Sequence, residues 1–236
     1  MLTGPALDTR LRPFEAIKAV RRLLNNPDDT SQVFIIFRAM RGRSAQRTFR
    51  RFASSTTGAA ILRDRRSLLA ALENSAALAQ LPEGSVGRAY ADFMAGQNLS
   101  ADGLVQASQS WEQDTVPPEV SLFRERMRDA HDLNHVLTGY GRDPLGEICL
   151  LAFMYAHTGN LGMAMIVVMG LTRVPAAARP AVIEAWRNGR KASWFPGQDY
   201  EALLSRPLTV ARRELSINDP VRYRAVKPQI DGGMTA

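Results

Sequence analysis

Residues 119–147, EVSLFRERMRDAHDLNHVLTGYGRDPLGE, decide the fold. After the Pro117-Pro118 break nothing interrupts a helix until Gly139 and Gly141 end it, and Asp143-Pro144 reads as the N-cap and first residue of the next one. The second helix therefore folds back over the first. The same stretch places two of the chain's three histidines in one turn, His131 and His135. A helix advances ~100° per residue, so they lie ~40° apart on one face, with Asp132 ~60° from His135. Three possible ligands share one arc, and the antiparallel return brings Glu147 opposite the end of the first helix.

Imidazole and carboxylate donors together suit a divalent ion of borderline softness, zinc foremost, and histidines at i, i+4 are a helical zinc spacing. The pair also fits two buried, hydrogen-bonded histidines, and spacing alone leaves both readings open. Sharper chemistries fail on missing residues. A helical metalloprotease has Glu after the first histidine, where Asp132 stands. A phosphohydrolase of the His-Asp type needs a histidine well upstream, and none precedes His131. A di-iron bundle needs a second Glu-x-x-His unit, but the residue three past Glu147 is Leu150.

The stretch that follows, Ile148 to Thr172, is twenty-five residues without Asp, Glu, Lys or Arg, long enough for a membrane span. His157-Thr158-Gly159-Asn160-Leu161-Gly162 breaks it in the middle, which favours a turn between two buried helices. Its methionines, Met154, Met163, Met165 and Met169, suit either plain core or a groove for an isoprenoid tail.

Helical spacing recurs over the rest of the chain: from Pro13 to Leu24, Val33 to Phe37, 66–80, Ser85 to Ala95, Ala101 to Trp111, Pro175 to Asn188, Asp199 to Ser205 and Leu208 to Leu215. No alternating β-branched segment insists on a strand. The expectation is all-α: a single multi-helix domain over 13–217 with a buried apolar helical hairpin and an inter-helix metal site, a flexible N-terminus at 1–12 and a C-terminal tail at 218–236.

The chain of 236 residues, 45% hydrophobic and 22% charged, has the make-up of a globular domain with a sizeable core. Its one cysteine, Cys149, excludes an intramolecular disulfide and reads as a core thiol. The net charge of +7 comes from arginine, since Lys18, Lys191 and Lys227 are the only lysines. No acidic residue falls between Asp29 and Asp64, where Arg38, Arg41, Arg43, Arg47, Arg50, Arg51 and Arg63 cluster. A solvated face or an anionic membrane surface explains that run. No nucleic-acid partner is expected, because no nucleic-acid motif is present and helical spacing accounts for Phe37, Phe49 and Phe52. The first twelve residues lack the apolar core of a secretory signal, and Asp8 and Glu15 sit badly with a mitochondrial presequence.

His131-Asp132-x-x-His135-x11-Glu147 resembles the metal motif of the coenzyme Q biosynthesis protein 4 family, proteins of ubiquinone biosynthesis. Arg126 and Arg128 precede the first histidine, and Leu145-Gly146 precedes Glu147, as in that family. Leu81-Pro82-Glu83-Gly84-Ser85-Val86-Gly87-Arg88-x-Tyr90-x-x-Phe93-Met94 is similar to a second family signature. Asn188-Gly189-Arg190-Lys191-Ala192 and Arg212-Arg213-Glu214-Leu215-Ser216-Ile217 also fit, with Ser216 where glycine is usual.

The resemblance implies removal of the C1 carboxylate from a polyprenylated 4-hydroxybenzoate head group, in the family with replacement by a hydroxyl. His131, Asp132, His135 and Glu147 would hold a divalent metal, zinc foremost, and carry the catalysis; Arg126 and Arg128 would meet the substrate carboxylate. The resemblance further implies a homodimer peripheral to the inner membrane in a bacterial cytoplasm. Its expected partners are a prenylated quinone precursor or isoprenoid lipid, the membrane surface and other ubiquinone biosynthesis proteins. The competing reading is a non-catalytic scaffold that binds prenyl lipids and organises the biosynthetic complex.

Overall fold

Proline, glycine and short polar caps cut the chain into helices. The computed structural model describes residues 9–26, 29, 31–96 and 116–225, and within them thirteen α-helices follow in order. They are α1 (Pro13–Asn25), α2 (Ser31–Ala39), α3 (Ser44–Ser54), α4 (Thr56–Arg63), α5 (Leu68–Glu73), α6 (Ser75–Ala79), α7 (Val86–Gly96), α8 (Pro118–Thr138), α9 (Pro144–Thr158), α10 (Leu161–Arg173), α11 (Arg179–Lys191), α12 (Tyr200–Leu203) and α13 (Leu208–Glu214). Among the described residues there is no strand, only an isolated antiparallel bridge between Ser85 and Pro207. The all-α reading holds, and the helix expected over Ala101 to Trp111 lies outside the described residues.

Side-chain caps set boundaries that apolar spacing does not show. Ser67 Oγ accepts from Ala70 N at 3.3 Å and Asn74 Oδ1 from Ala77 N at 3.1 Å, so the single helix expected over 66–80 is two, α5 and α6. Each cap satisfies an otherwise orphaned N–H.

The core is built around α9, which packs against α8, α10 and α11. Leu145, Ile148, Cys149, Leu150, Ala152, Phe153 and Met154 are all buried, on every side of the helix. Burial of this kind drives the fold, at ~1.5–3 kcal/mol for each large aliphatic or aromatic side chain. The apolar run 148–172 is indeed a hairpin: Gly159 ends α9 at φ +63°, and Asn160 caps α10 by accepting from Gly162 N at 2.8 Å. No helix among the described residues is long and apolar enough to cross a membrane. Burial is unequal, however, because α10 rests on α9 and α2 and leaves Leu161 and Val168 exposed.

The end of α8 is tied down from the C-terminal side. Arg212 donates from Nε to the Leu137 carbonyl at 2.9 Å and from Nη2 to the Val136 carbonyl at 3.1 Å, satisfying orphaned acceptors of the last turn. Ser216 adopts φ +55°, a left-handed conformation that costs an L-residue about 1 kcal/mol relative to glycine, which explains why glycine suits this position. Residues 218–225, expected to begin a tail, run as a strap along the α8–α9 turn: Tyr223 OH accepts from Gly141 N at 3.0 Å and donates to Asp143.

Candidate metal centre

The last turns of α8 and the first turn of α9 meet where the glycine turn reverses the chain. His135 is almost fully buried, and its Nδ1 lies 2.9 Å from the Tyr140 carbonyl. A carbonyl only accepts, so Nδ1 carries the proton and Nε2 keeps a free lone pair. Phe93 stacks on the same ring at 6.0 Å and fixes its plane.

Around that lone pair the other donors gather. His131 Nε2 is 3.3 Å from His135 Nε2, and Glu147 Oε2 is 3.5 Å from both. Four donors at ~2.0–2.1 Å from a tetrahedral ion stand ~3.3–3.4 Å apart, so these three separations match the edges of such a site. One ligand atom from each of His131, Asp132 and His135 falls within 4.8 Å of the others. Asp132 Oδ1 is buried with no hydrogen-bond partner, the Arg142 guanidinium standing 3.6 Å away, so its acceptor capacity is open to an ion. The residues present therefore fit a divalent ion.

The electrostatics keep the carboxylate of this cluster ionised. Burial pushes the Glu147 carboxyl up, but the hydrogen bond and charge of His131, with His135 beside it, outweigh that and hold the group far below the usual carboxylate range. Burial lowers His131, yet the hydrogen bond and charge of Glu147, helped by Asp132, leave it above the usual histidine value. Glu147 thus stays an anion, the form a ligand needs, and the proton that this pairing favours on His131 is the one a bound ion would displace.

The structure brings together His131, Asp132, His135 and Glu147 but not Arg126 and Arg128, the arginines expected to meet a substrate carboxylate. Arg126 is 2% exposed and forms a two-pronged ion pair with Glu201, one prong at 2.6 Å. Arg128 pairs with Asp129 at 2.8 Å. Around the helix Arg126 lies ~140° from His131 and ~180° from His135, which turns it away from the site toward Glu201, whereas Arg128 lies ~20° from His135 on the same face and is held instead by Asp129. The guanidinium at the site is Arg142, whose Nη1 is 3.6 Å from Asp132 Oδ1 and whose Nε is 3.5 Å from Glu147 Oε1. Its place in the turn that joins the two ligand-bearing helices was the available signal.

The third histidine, His157, sits elsewhere, between Phe153 at 5.0 Å and Phe195 at 5.2 Å, with a buried Nε2 that has no hydrogen-bond partner. Burial, and secondly the Arg51 charge, push its pKa down from 6.5 to about 4. Between those values the unfolded chain binds a proton that the native state refuses, so stability falls as pH drops from 6.5 through 4. His157→Phe keeps a flat ring there and is expected to remove roughly 1–2 kcal/mol of that acid destabilisation, read from urea midpoints at a series of pH values. An unchanged pH–stability slope in the variant would contradict a neutral His157.

Fold and donor set together define an all-helical protein with an inter-helix histidine–carboxylate centre. Residues 14–221 match the family model for the Coenzyme Q (ubiquinone) biosynthesis protein Coq4, and the chain belongs to that family. It is 32% identical over 178 residues to the mitochondrial ubiquinone biosynthesis protein coq4 of Sclerotinia sclerotiorum, covering 74% of this chain and 61% of the relative. It is 32% identical over 168 residues to the mitochondrial COQ4 homologue of Bos taurus, covering 69% of this chain and 62% of that one. The chain thus spans about three fifths of the length of these relatives. A crystal structure of a Nostoc punctiforme protein described as acting in ubiquinone biosynthesis superposes with a TM-score of 0.66, over 89% of this chain and 100% of that one at 21% identity, and shares the fold.

The relatives' names correct one expectation. They are mitochondrial proteins, which overturns the placement in a bacterial cytoplasm at the inner membrane.

Proposed function

We propose that this chain acts in ubiquinone biosynthesis by removing the C1 carboxylate of a polyprenylated 4-hydroxybenzoate head group and replacing it with a hydroxyl, using a divalent ion, zinc foremost. The observation that carries the reading is the donor set: His131 Nε2, His135 Nε2 and Glu147 Oε2 at 3.3–3.5 Å from one another, beside the buried Asp132 Oδ1, which accepts no hydrogen bond. When bound, the ion supplies Lewis acidity toward a carboxylate or phenolic oxygen and offsets negative charge that develops on the ring.

The residues do the rest. Tyr140 holds His135 in the ligand tautomer through its carbonyl. Arg142, standing between Asp132 and Glu147, orients the substrate carboxylate by charge-assisted hydrogen bonds. Asp132 Oδ1 takes or returns a proton at the ring substituent. The C1–carboxylate bond breaks, carbon dioxide leaves, and the electron pair stays on C1. Dioxygen, with three protons and two electrons from an external reductant, converts that carbon to the phenol and releases one water. The exposed Leu11, Phe14 and Ile17 near the start of α1, close in sequence to Lys18 and Arg21, suit contact with an anionic lipid surface where a polyprenyl tail resides.

The test is purification without added metal, metal analysis by mass spectrometry, and incubation with a prenylated 4-hydroxybenzoate under air with a reductant. One divalent ion per chain and carbon dioxide release are expected, with turnover about 100-fold lower in Asp132→Asn. Metal without turnover on any prenylated acid would move the assignment to a lipid-binding scaffold, and protein that binds no metal would end the site assignment.

A further inference from the structure

The signature segment Asn188-Gly189-Arg190-Lys191 serves no part of the metal centre, yet it borders a cavity of about 340 Å³ between α11 and the strap. That volume lies at the small end of the ~300–1,000 Å³ range of small-molecule sites. Arg187 and Lys191, one helical turn apart on α11, line it together with Arg222 from the strap, and the buried Asn188 amide contributes a polar wall. Among the described residues no hydrogen bond or ion pair engages the side chains of Arg187, Lys191 or Arg222.

Other exposed arginines, such as Arg43 and Arg50, also stand without a side-chain partner among the described residues, but these three cations converge on one cavity. Arg38, Arg66, Arg126, Arg206 and Arg212 each have a carboxylate partner at 3.0 Å or closer. Three cations bordering one cavity repel one another, and an anion placed among them relieves that repulsion. The cavity's carboxylate, Glu184, accepts from the Arg222 backbone N–H at 2.8 Å through Oε2, so it anchors the strap. A planar guanidinium fork and an ammonium group match the tetrahedral oxygens of phosphate. Ile183 in the wall and Val221 beside Arg222 are exposed apolar groups that would accompany an organic substituent.

We propose that this cavity binds a phosphate monoester, either a soluble one or the headgroup of a phosphate-bearing lipid. Binding joins Arg222 to α11 and fastens the strap whose Tyr223 already holds Gly141 and Asp143 of the α8–α9 turn. The site is independent of the metal and of the reaction proposed above.

Titration calorimetry of the full chain with phenyl phosphate tests it, beside Arg187→Gln/Lys191→Gln and a control, Arg43→Gln/Arg50→Gln, that removes equal charge from exposed positions on or beside α3. The expected result is saturable one-to-one binding that weakens about tenfold or more in the first variant and not in the control, with both variants melting as the wild type does. Flotation with neutral vesicles, with and without phosphatidic acid, separates the sources. Capture by phosphatidic acid that phenyl phosphate competes away identifies a lipid headgroup, whereas phenyl phosphate binding without capture identifies a soluble ligand. No saturable binding, or equal weakening in both variants, overturns the proposal.

Discussion

Metal analysis of His135→Ala is expected to return protein without its divalent ion and with turnover reduced by at least about 100-fold. The substitution removes a buried ligand that the Tyr140 carbonyl holds in place through its second nitrogen. It also leaves a void beside Phe93. A readout separate from activity distinguishes metal loss from misfolding. A ligand that binds only the native state raises stability by RT ln(1 + [L]/Kd). Chelator should therefore lower the melting temperature of the wild type and leave that of His135→Ala unchanged. Glu147→Gln, which keeps shape and gives up the charge, should fall between the two. Equal chelator sensitivity in wild type and His135→Ala would mean that the ion sits elsewhere.

What the sequence allowed follows from how local each feature is. The glycine turn at 139–141 and the Asp143-Pro144 start are chain-neighbour signals, and they located the reversal that sets His131, Asp132, His135 and Glu147 together. The hairpin within 148–172 was legible for the same reason, since Gly159 and Asn160 break an otherwise apolar run. Arg126 is committed elsewhere because its partner is not local: Glu201 comes from a segment 75 residues away, and only folding brings it to Arg126. Arg142 was within the quoted motif, but its bridging of Asp132 and Glu147 depends on the path of the turn. The strap at 218–225 carries few apolar residues and reads as tail, although Tyr223 and the Arg222 backbone give it specific hydrogen bonds. The left-handed Ser216 shows the opposite case, in which a departure from the expected glycine marked a real backbone constraint.

Gly189→Ala is expected to destabilise the protein by about 2–4 kcal/mol, against the usual sense of this substitution. In a free helix interior alanine is better than glycine by ~0.5–1 kcal/mol, because glycine loses more backbone freedom on folding. Here α11 crosses α9 so closely that a Cβ at position 189 would stand 2.4 Å from the Phe153 carbonyl oxygen and 3.0 Å from its Cα. Both are backbone atoms of the central helix, so no side-chain rotation relieves the contact. The two helices must separate, and the fully buried Phe153, Ala185 and Phe195 would lose packing as they did. Denaturant midpoints should move down and melting should fall by roughly 4–16 °C for a chain of this size. Gly96→Ala is the companion measurement: it ends α7 with nothing within 4 Å of the added methyl, and should leave stability unchanged or slightly higher. If Gly189→Ala proved as stable as the wild type, α11 could not lie as close to α9 as this fold requires, and the position of the phosphate cavity on α11 would have to be redrawn with it.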